Sequence, residues 1–516
     1  MANQVIKAVT ANWILGALAA LTAFLFGGWS GAVIGWLLGT AAAFMQAQRQ
    51  RIISPTVGLG AGAGAGLIVG LWLLLGSAIQ QQLAPLLGLP ATGTVEIVAA
   101  LAIATLAGGV MGALQGIPAP AKQQATLVTL AFVLVFFPFA DRIGQTNWID
   151  TAIQILIFVM LALGLNITVG FAGLLDLGYV AFFAIGAYTT GFLASPQLDL
   201  DWNFWLALPV AAVVAAIAGL ILGTPTLRLR GDYLAIVTLG FGQIVPVVFR
   251  NLTAVRIDEP ISKFLASLQG NPEMAICLVG CDRAINLTGG EAGINPINRP
   301  TLPLIGTFES SNYFPWYYLI LFLVVFAYFA IVRLRDSRLG RSWTAIREDE
   351  LAASAMGINL VNSKLLAFAM GATFSGFAGA FYAAYISAIF PSVFDFSISV
   401  IILCMVILGG LGNLTGVILG AIIIMAADRL YLPQLAQVIK SWLNTSVLPV
   451  ISDPGLRDFV ATSLDPLQMR LFLFGLTLVI MMLVRPEGLV PDTLHKAEMH
   501  ETEEESKEFL ADARSR

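Results

Sequence analysis

Charge is scarce in this chain. Asp, Glu, Lys and Arg make up 11% of its 516 residues, less than half of the roughly 25% usual in globular proteins. So few charges cannot cover the surface of several water-soluble domains, which excludes a soluble enzyme. Histidine is scarcer still. His495 and His500 both lie in the C-terminal tail, so no Ser/His/Asp or Cys/His arrangement can form in the body of the chain, and haem, zinc and copper lose their usual ligands. Three cysteines, Cys277, Cys281 and Cys404, are too few for a disulfide framework. Cys277 and Cys281 share one polar loop, where a bridge and two free thiols are both open readings. None of the seven lysines sits in a G-x-x-x-x-G-K-[ST] run, so this chain has no P-loop for ATP. An Arg-rich voltage-sensor helix and a TVGYG-type filter are also missing. With a net charge of −4 and no basic stripe, nucleic acid is not a partner.

What is abundant is apolar. Hydrophobic residues reach 58%, with 50 glycines besides, and the mean hydropathy is +0.85. The chain reads as an all-α, polytopic membrane protein. A spanning helix needs about 20 mostly apolar residues, and 14 segments qualify: 11–27, 30–48, 58–79, 95–116, 125–141, 151–170, 177–195, 203–224, 232–250, 313–333, 364–387, 397–412, 414–430 and 469–485. The pairs 11–27 with 30–48 and 397–412 with 414–430 each read as a hairpin or a re-entrant turn around a Gly-rich centre. The first segment reads as a retained helix, since no small-residue cleavage site is followed by a polar domain. Placing both termini in the cytoplasm puts 17 of the 27 basic residues inside and leaves the short outer loops 80–94, 196–202 and 388–396 with none.

Residues 1–120 differ in texture from the rest. GLGAGAGAGLIVG (58–70) and AGGVMG (107–112) set small residues at helical spacing, which lets helices approach closely in lipid. With almost no polar groups, these extra helices read as a packing or docking appendage. Residues 121–490 form the main body, with a long outer loop at 251–312 and a charged inner loop at 334–362. Residues 491–516 are an acidic cytoplasmic tail, expected to be solvated.

The inner loop carries Arg333, Arg335, Arg338, Arg341 and Arg347 ahead of Glu348, Asp349 and Glu350. Its stretch 343–356 predicts one short amphipathic helix on the cytoplasmic face, broken by Gly357. Such a helix either presses into a partner's groove as a lever or lies among lipid headgroups.

GRSWTAIREDELAASAMGIN (340–359), followed by KLLAFAMGATFSGFAGAFYA, resembles the permease subunits of ATP-driven (ABC) importers for branched-chain amino acids. The likeness recurs in GLNITVGFAGLLDLGYVAFFAIGAYTTGFLA (164–194), LRLRGDYLAIVTLGFGQIVPVVFRNLT (227–253), NLTGGEAGINPINRP (286–300), ILGGLGNLTGVILGA (407–421) and LVRPEGLV (483–490). The type is the longer, "M"-type chain of the two that pair. Residues 1–120 and 257–284 lie outside it.

The resemblance implies a permease in the bacterial inner membrane, paired with a second, homologous permease. Two cytoplasmic ABC ATPases would carry ATP and Mg, and a substrate-binding protein would stand outside, so no cofactor is expected in this chain. It also implies an ATPase-coupling role for the inner loop, with Arg341, Arg347, Glu348, Asp349, Glu350 and Gly357 as its candidates. Urea or short amides are an alternative cargo. An autonomous secondary transporter or channel is a reading of another class, and it lacks the paired mid-membrane carboxylates that a coupling ion needs.

Intramembrane polar groups face protein or water, not lipid. Asn166, Asp176 and Tyr179 in the first motif, with Asp232 and Gln243 in the second, are therefore the translocation-pathway candidates. The glycines of VGFAGLLDLG predict a broken helix whose freed backbone groups line a cavity. Asp176 and Asp232 read first as inner-boundary residues that pair with Arg228 or Arg230 or cap helices, and second as substrate contacts. Asn166 and Gln243 fit interhelical bonding and the pathway equally. Tyr382 and Tyr385 read as interface-belt aromatics, and Asp428–Arg429 as a local ion pair at an outer helix end.

Overall fold

The computed structural model describes residues 55–87, 100–106, 133–142, 148–196, 200–226, 232–255, 286–302, 306–447, 469–484 and 488–490, with a few isolated positions besides. Two compact units divide the chain: residues 1–152 with 426–470, and residues 153–425 with 471–516. Among the described residues, eight helices are long and apolar enough to cross a membrane. The segments expected at 11–27 and 30–48 fall almost wholly outside the described residues, as do much of 95–116 and 125–141. The acidic tail, Cys281 and the side chain of Cys277 also lie outside them.

In chain order the helices are α1 (Pro55–Leu87), α2 (Ile149–Leu165), α3 (Val180–Ala194), α4 (Phe204–Thr226), α5 (Asp232–Asn251), α6 (Tyr313–Arg335), α7 (Arg338–Glu348), α8 (Glu350–Ala355), α9 (Leu360–Ile386), α10 (Phe396–Gly409), α11 (Leu414–Ala426), α12 (Leu432–Trp442) and α13 (Arg470–Val484).

In the first unit, Ala65, Val69 and Leu73 of α1 form a small core with Ala100 and Ala104. A Cβ on Gly66 would strike the carbonyl of Ala104, and one on Gly70 would meet Leu101 at 3.1 Å. Bare backbone is what allows that approach. The start of α2 is capped from a distance: Asp141 accepts from the amides of Trp148 (2.8 Å) and Ile149 (3.3 Å). The segment expected to end near residue 430 runs on, since the helix is continuous from Leu414 to Ser446 through a π-turn at Ala427–Tyr431. Asp428–Arg429 is therefore not at a helix end. Asp428 is buried, and both Arg429 and Arg470 stand 3.6 Å from its carboxylate. The π-turn absorbs the charged pair without ending the helix.

The second unit is centred on α3, α4 and α9, which among the described residues pack on one another more extensively than other helices do. Their seam is lined with small residues. A Cβ on Gly376 would lie 2.7 Å from that of Ala215, and one on Gly186 would lie 2.6 Å from the Cα of Gly376. Tyr385 is buried at the end of α9, ring-stacked on Phe381 and edge-on to Trp316. It belongs to an interior aromatic cluster, not to a belt at the lipid boundary.

The pair α10 and α11 forms a hairpin turned at Gly410 (φ +112°) and Gly412 (φ +87°), backbone angles that suit glycine. Asn413 then caps α11 by accepting from Thr415 and Gly416. The outer loop carries two short antiparallel pairs, β1 (Ile257–Asp258) with β2 (Cys277–Val279) and β3 (Thr301–Leu302) with β4 (Gly306–Thr307). Its stretch 286–302 is stitched to the ends of α3 and α9. Ile294 pairs with Ile389, the Asn298 amide donates to Ala194 (2.8 Å), and Ile297 donates to Ser387 (3.2 Å).

Candidate functional site: the broken helix and the inner loop

Helix α2 does not end cleanly. It passes into a fully buried π-turn, Asn166–Phe171, and then into non-helical backbone until α3 begins at Val180. A helix that stops inside protein leaves its last carbonyls and the next helix's first amides without partners. Here the neighbouring helices supply them. The Leu177 amide donates to Thr238 Oγ1 of α5 (3.1 Å), and the Val180 amide donates to Ser399 Oγ of α10 (3.0 Å). Tyr179 donates its hydroxyl to the Gly371 carbonyl of α9 (3.0 Å). Within the break, Leu174 donates back to Thr168, and Ala172 to Ile167. Gly178 packs so closely on α5 that a Cβ on Gly242 would lie 2.9 Å from its Cα.

Asn166, Asp176 and Tyr179 are thus brought together in and around this break, all at 1% exposure or less. Asn166 Oδ1 accepts from the Gly412 amide of the α10–α11 hairpin (3.0 Å), while its Nδ2 has no hydrogen-bond partner. Asp176 Oδ1 accepts from the Gly178 amide (2.9 Å), and its Oδ2 is likewise unpaired. Gln243 lies elsewhere, exposed on α5. Asp232 is the first residue of α5, but its side chain, together with Arg228 and Arg230, lies outside the described residues.

The inner loop is two helices rather than one. Asp349 adopts an extended conformation (φ −153°, ψ 113°) and accepts from the amides of Leu351 and Ala352. An N-cap residue must leave helical dihedrals, so Asp349 divides the expected helix into α7 and α8. One face of α7 turns inward through Gly340, Trp343 and Ile346, all buried. Trp343 donates its indole N–H to the Ser363 carbonyl (2.7 Å), fastening α7 to α9. Nothing in the sequence reading singled out Trp343, although it is the one aromatic in the polar run 334–362.

The candidate coupling residues take separate positions. Arg341 and Glu348 are exposed on α7, and Glu350 pairs with Lys364, which is itself buried. Gly357 (φ +83°) closes α8, with Ile358 donating back to Ala353 and Gly357 to Ser354, the hydrogen-bond pattern of a glycine C-cap. Arg347 points inward. Its Nη1 donates to the Gly170 carbonyl at 2.5 Å. Two large apolar side chains stand out in this polar loop, Leu351 at 71% exposure and Met356 at 84%.

The model of the family described as "Branched-chain amino acid transport system / permease component" matches residues 147–482, an interval that holds the broken helix, the inner loop and the hairpin together. The chain belongs to that family. It is a multi-pass membrane permease. Among its relatives, the high-affinity branched-chain amino acid transport system permease protein LivM of Salmonella typhimurium is 36% identical over 72% of this chain and 76% of its own length. The protein of the same name from Escherichia coli strain K12 matches to the same extent. The permease protein LivH of Salmonella typhimurium is 28% identical over 26% of this chain and 42% of its own length. No solved structure matches.

Proposed function

We propose that this permease is one of two related membrane subunits of an ATP-driven importer for branched-chain amino acids. It would sit in the inner membrane with both termini in the cytoplasm, two ATPases carrying ATP and Mg on that side and an amino-acid-binding protein outside. The observation that carries the reading is the form of the inner loop. Helix α7 is anchored into the membrane domain by Trp343, while Leu351 of α8 and Met356 at its end face solvent. Exposed apolar side chains on a polar loop mark a protein-binding surface. A loop held on one side and adhesive on the other can pass on the movement of whatever docks to it. Because ATP binding favours one arrangement of the ATPases, their affinity for the loop differs between states, which is what coupling requires.

The second permease is supported by the likeness to both LivM and LivH, each a permease protein of one kind of transport system. Its place is suggested by α5, where Tyr233, Ile236, Gln243, Ile244 and Val247 are all exposed. A Cβ on Gly240, in the middle of that face, would meet nothing within 4 Å. Glutamine is unfavourable against lipid, and an open glycine favours close helix approach, so the face fits a second chain with the pathway between them. At the break, an amide N–H and a carboxylate oxygen stand unpaired. They are the donor and acceptor that an amino acid's carboxylate and ammonium need.

Purification of the tagged chain in mild detergent, with ATP hydrolysis assayed against leucine, isoleucine, valine and urea, tests this reading. Two ATPases and a second permease should co-purify, with hydrolysis stimulated by the three amino acids in the presence of the binding protein. A chain that purifies alone and transports without ATP overturns it. Gln243→Leu is expected to change the apparent affinity for leucine in uptake while the complex still assembles. Loss of assembly alone would make Gln243 a packing residue.

A further inference from the structure

We propose that Arg347 is a positioning residue that pins the inner loop to the broken end of α2, so that displacement of α7 is felt directly at the π-turn bearing Asn166. The inference rests on the coupling role proposed above for the loop, and it assigns Arg347 to the permease's interior rather than to the docking face.

The geometry is specific. Helix ends carry partial negative charge on their last carbonyls, which a cationic side chain satisfies well. At the end of α2, Ile167 and Thr168 accept from Ala172 and Leu174, whereas the Gly170 carbonyl accepts from Arg347 Nη1 at 2.5 Å. The cap is supplied by a different element, 177 residues further along the chain. The stem of Arg347 lies in a slot that only glycines leave open. A Cβ on Gly173 (φ +68°) would come within 2.9 Å of its Cγ, and one on Gly412 within 3.2 Å of its Nη1. Gly412 is also the residue whose amide donates to Asn166. One side chain therefore meets the end of α2 and the α10–α11 hairpin with its guanidinium and the break at Gly173 with its stem.

Two neighbours set Arg347 apart. Arg341 is exposed and donates to the Asp336 carbonyl of its own loop, and Glu348 is exposed. The inward turn of Arg347 follows from its place four residues after the buried Trp343, on the same side of α7. Trp343 holds α7 to α9, which packs against α3 and α4 in the helical core. Arg347 holds it to the buried stretch between α2 and α3, whose backbone is not regular α-helix. Tilting α7 must either drag that stretch or strip its cap.

The test uses the whole complex reconstituted in liposomes, with leucine uptake and ATP hydrolysis measured in one preparation. In Arg347→Ala the ATPases should still co-purify and hydrolyse ATP, while leucine taken up per ATP falls roughly tenfold, the worth of one charge-assisted hydrogen bond. Arg347→Lys, which keeps a cationic donor on a shorter reach, should recover part of that ratio. An unchanged ratio in Arg347→Ala overturns the inference, and so does loss of the ATPases from the complex, which would place Arg347 at the docking face. Should Arg347→Ala fail to accumulate, Arg347→Gln, which keeps a stem and a neutral N–H donor, is read by the same two criteria. A wild-type complex without ATPase would instead remove the proposed function itself.

Discussion

A chain carrying Leu351→Glu and Met356→Glu is expected to insert and fold normally and to lose ATP-driven uptake. Both side chains are already in solvent, at 71% and 84% exposure, so a charge at either position costs the isolated permease little. Against a docked partner the balance reverses. Burying each side chain is worth roughly 1.5–3 kcal/mol, and forcing an unpaired carboxylate into the same place costs further. Losing both anchors removes about 3–6 kcal/mol, or two to four orders of magnitude in affinity. Recovery of the ATPases with the tagged permease reads this directly, and the melting temperature of the detergent-solubilised chain controls for folding. Retention of the ATPases at wild-type yield would show that α8 is not their seat.

The second large effect is structural. Gly376→Leu is expected to destabilise the permease by about 3 kcal/mol or more, the upper end for overpacking, and to lower its yield from membranes. The site is a three-helix crossing. A Cβ at residue 376 meets the Ala215 methyl at 2.7 Å, the Ala211 carbonyl at 2.9 Å and the Ala212 Cα at 2.9 Å. Across the seam, a Cβ on Gly186 would lie 2.5 Å from the Gly376 carbonyl, and one on Gly379 would strike the Phe183 carbonyl. Backbone atoms cannot rotate away as side chains do, and lipid supplies no hydrophobic drive to restore helices once separated. Fluorescence-detected size-exclusion after a temperature ramp measures the change. Gly376→Ala should give a smaller shift, and an unchanged midpoint for Gly376→Leu would contradict the packing described here.

The apolar spans were legible because a helix in lipid must be apolar over its whole length, and 313–333, 203–224 and 364–387 differ from α6, α4 and α9 by only a few residues at their ends. The stop at Gly357 and the glycine turn near residue 410 were also legible, since few other residues tolerate a positive φ. Composition could not show where a long side chain points. Arg347 and Arg341 look alike in the string, and the fold sends one to a buried carbonyl and leaves the other outside. Asp349 misled for a related reason. An acidic residue in an amphipathic run reads as a polar face, and only its extended backbone shows it to be a cap. Asp428 reads as a boundary until the π-turn around it is seen.

The interruption between α2 and α3 also makes the membrane domain depend on its neighbours for hydrogen bonds. Helix α3 has 15 residues, about 22 Å at 1.5 Å per residue, against a hydrocarbon layer of about 30 Å. Residues 172–179 precede it as non-helical chain, with the Leu174 and Leu177 amides tied to Thr168 and Thr238, and the Val180 amide at the start of α3 tied to Ser399, rather than to a helical ladder. Lipid can offer these amides no hydrogen bond, so the break keeps its shape only while α5 and α10 stay packed against it.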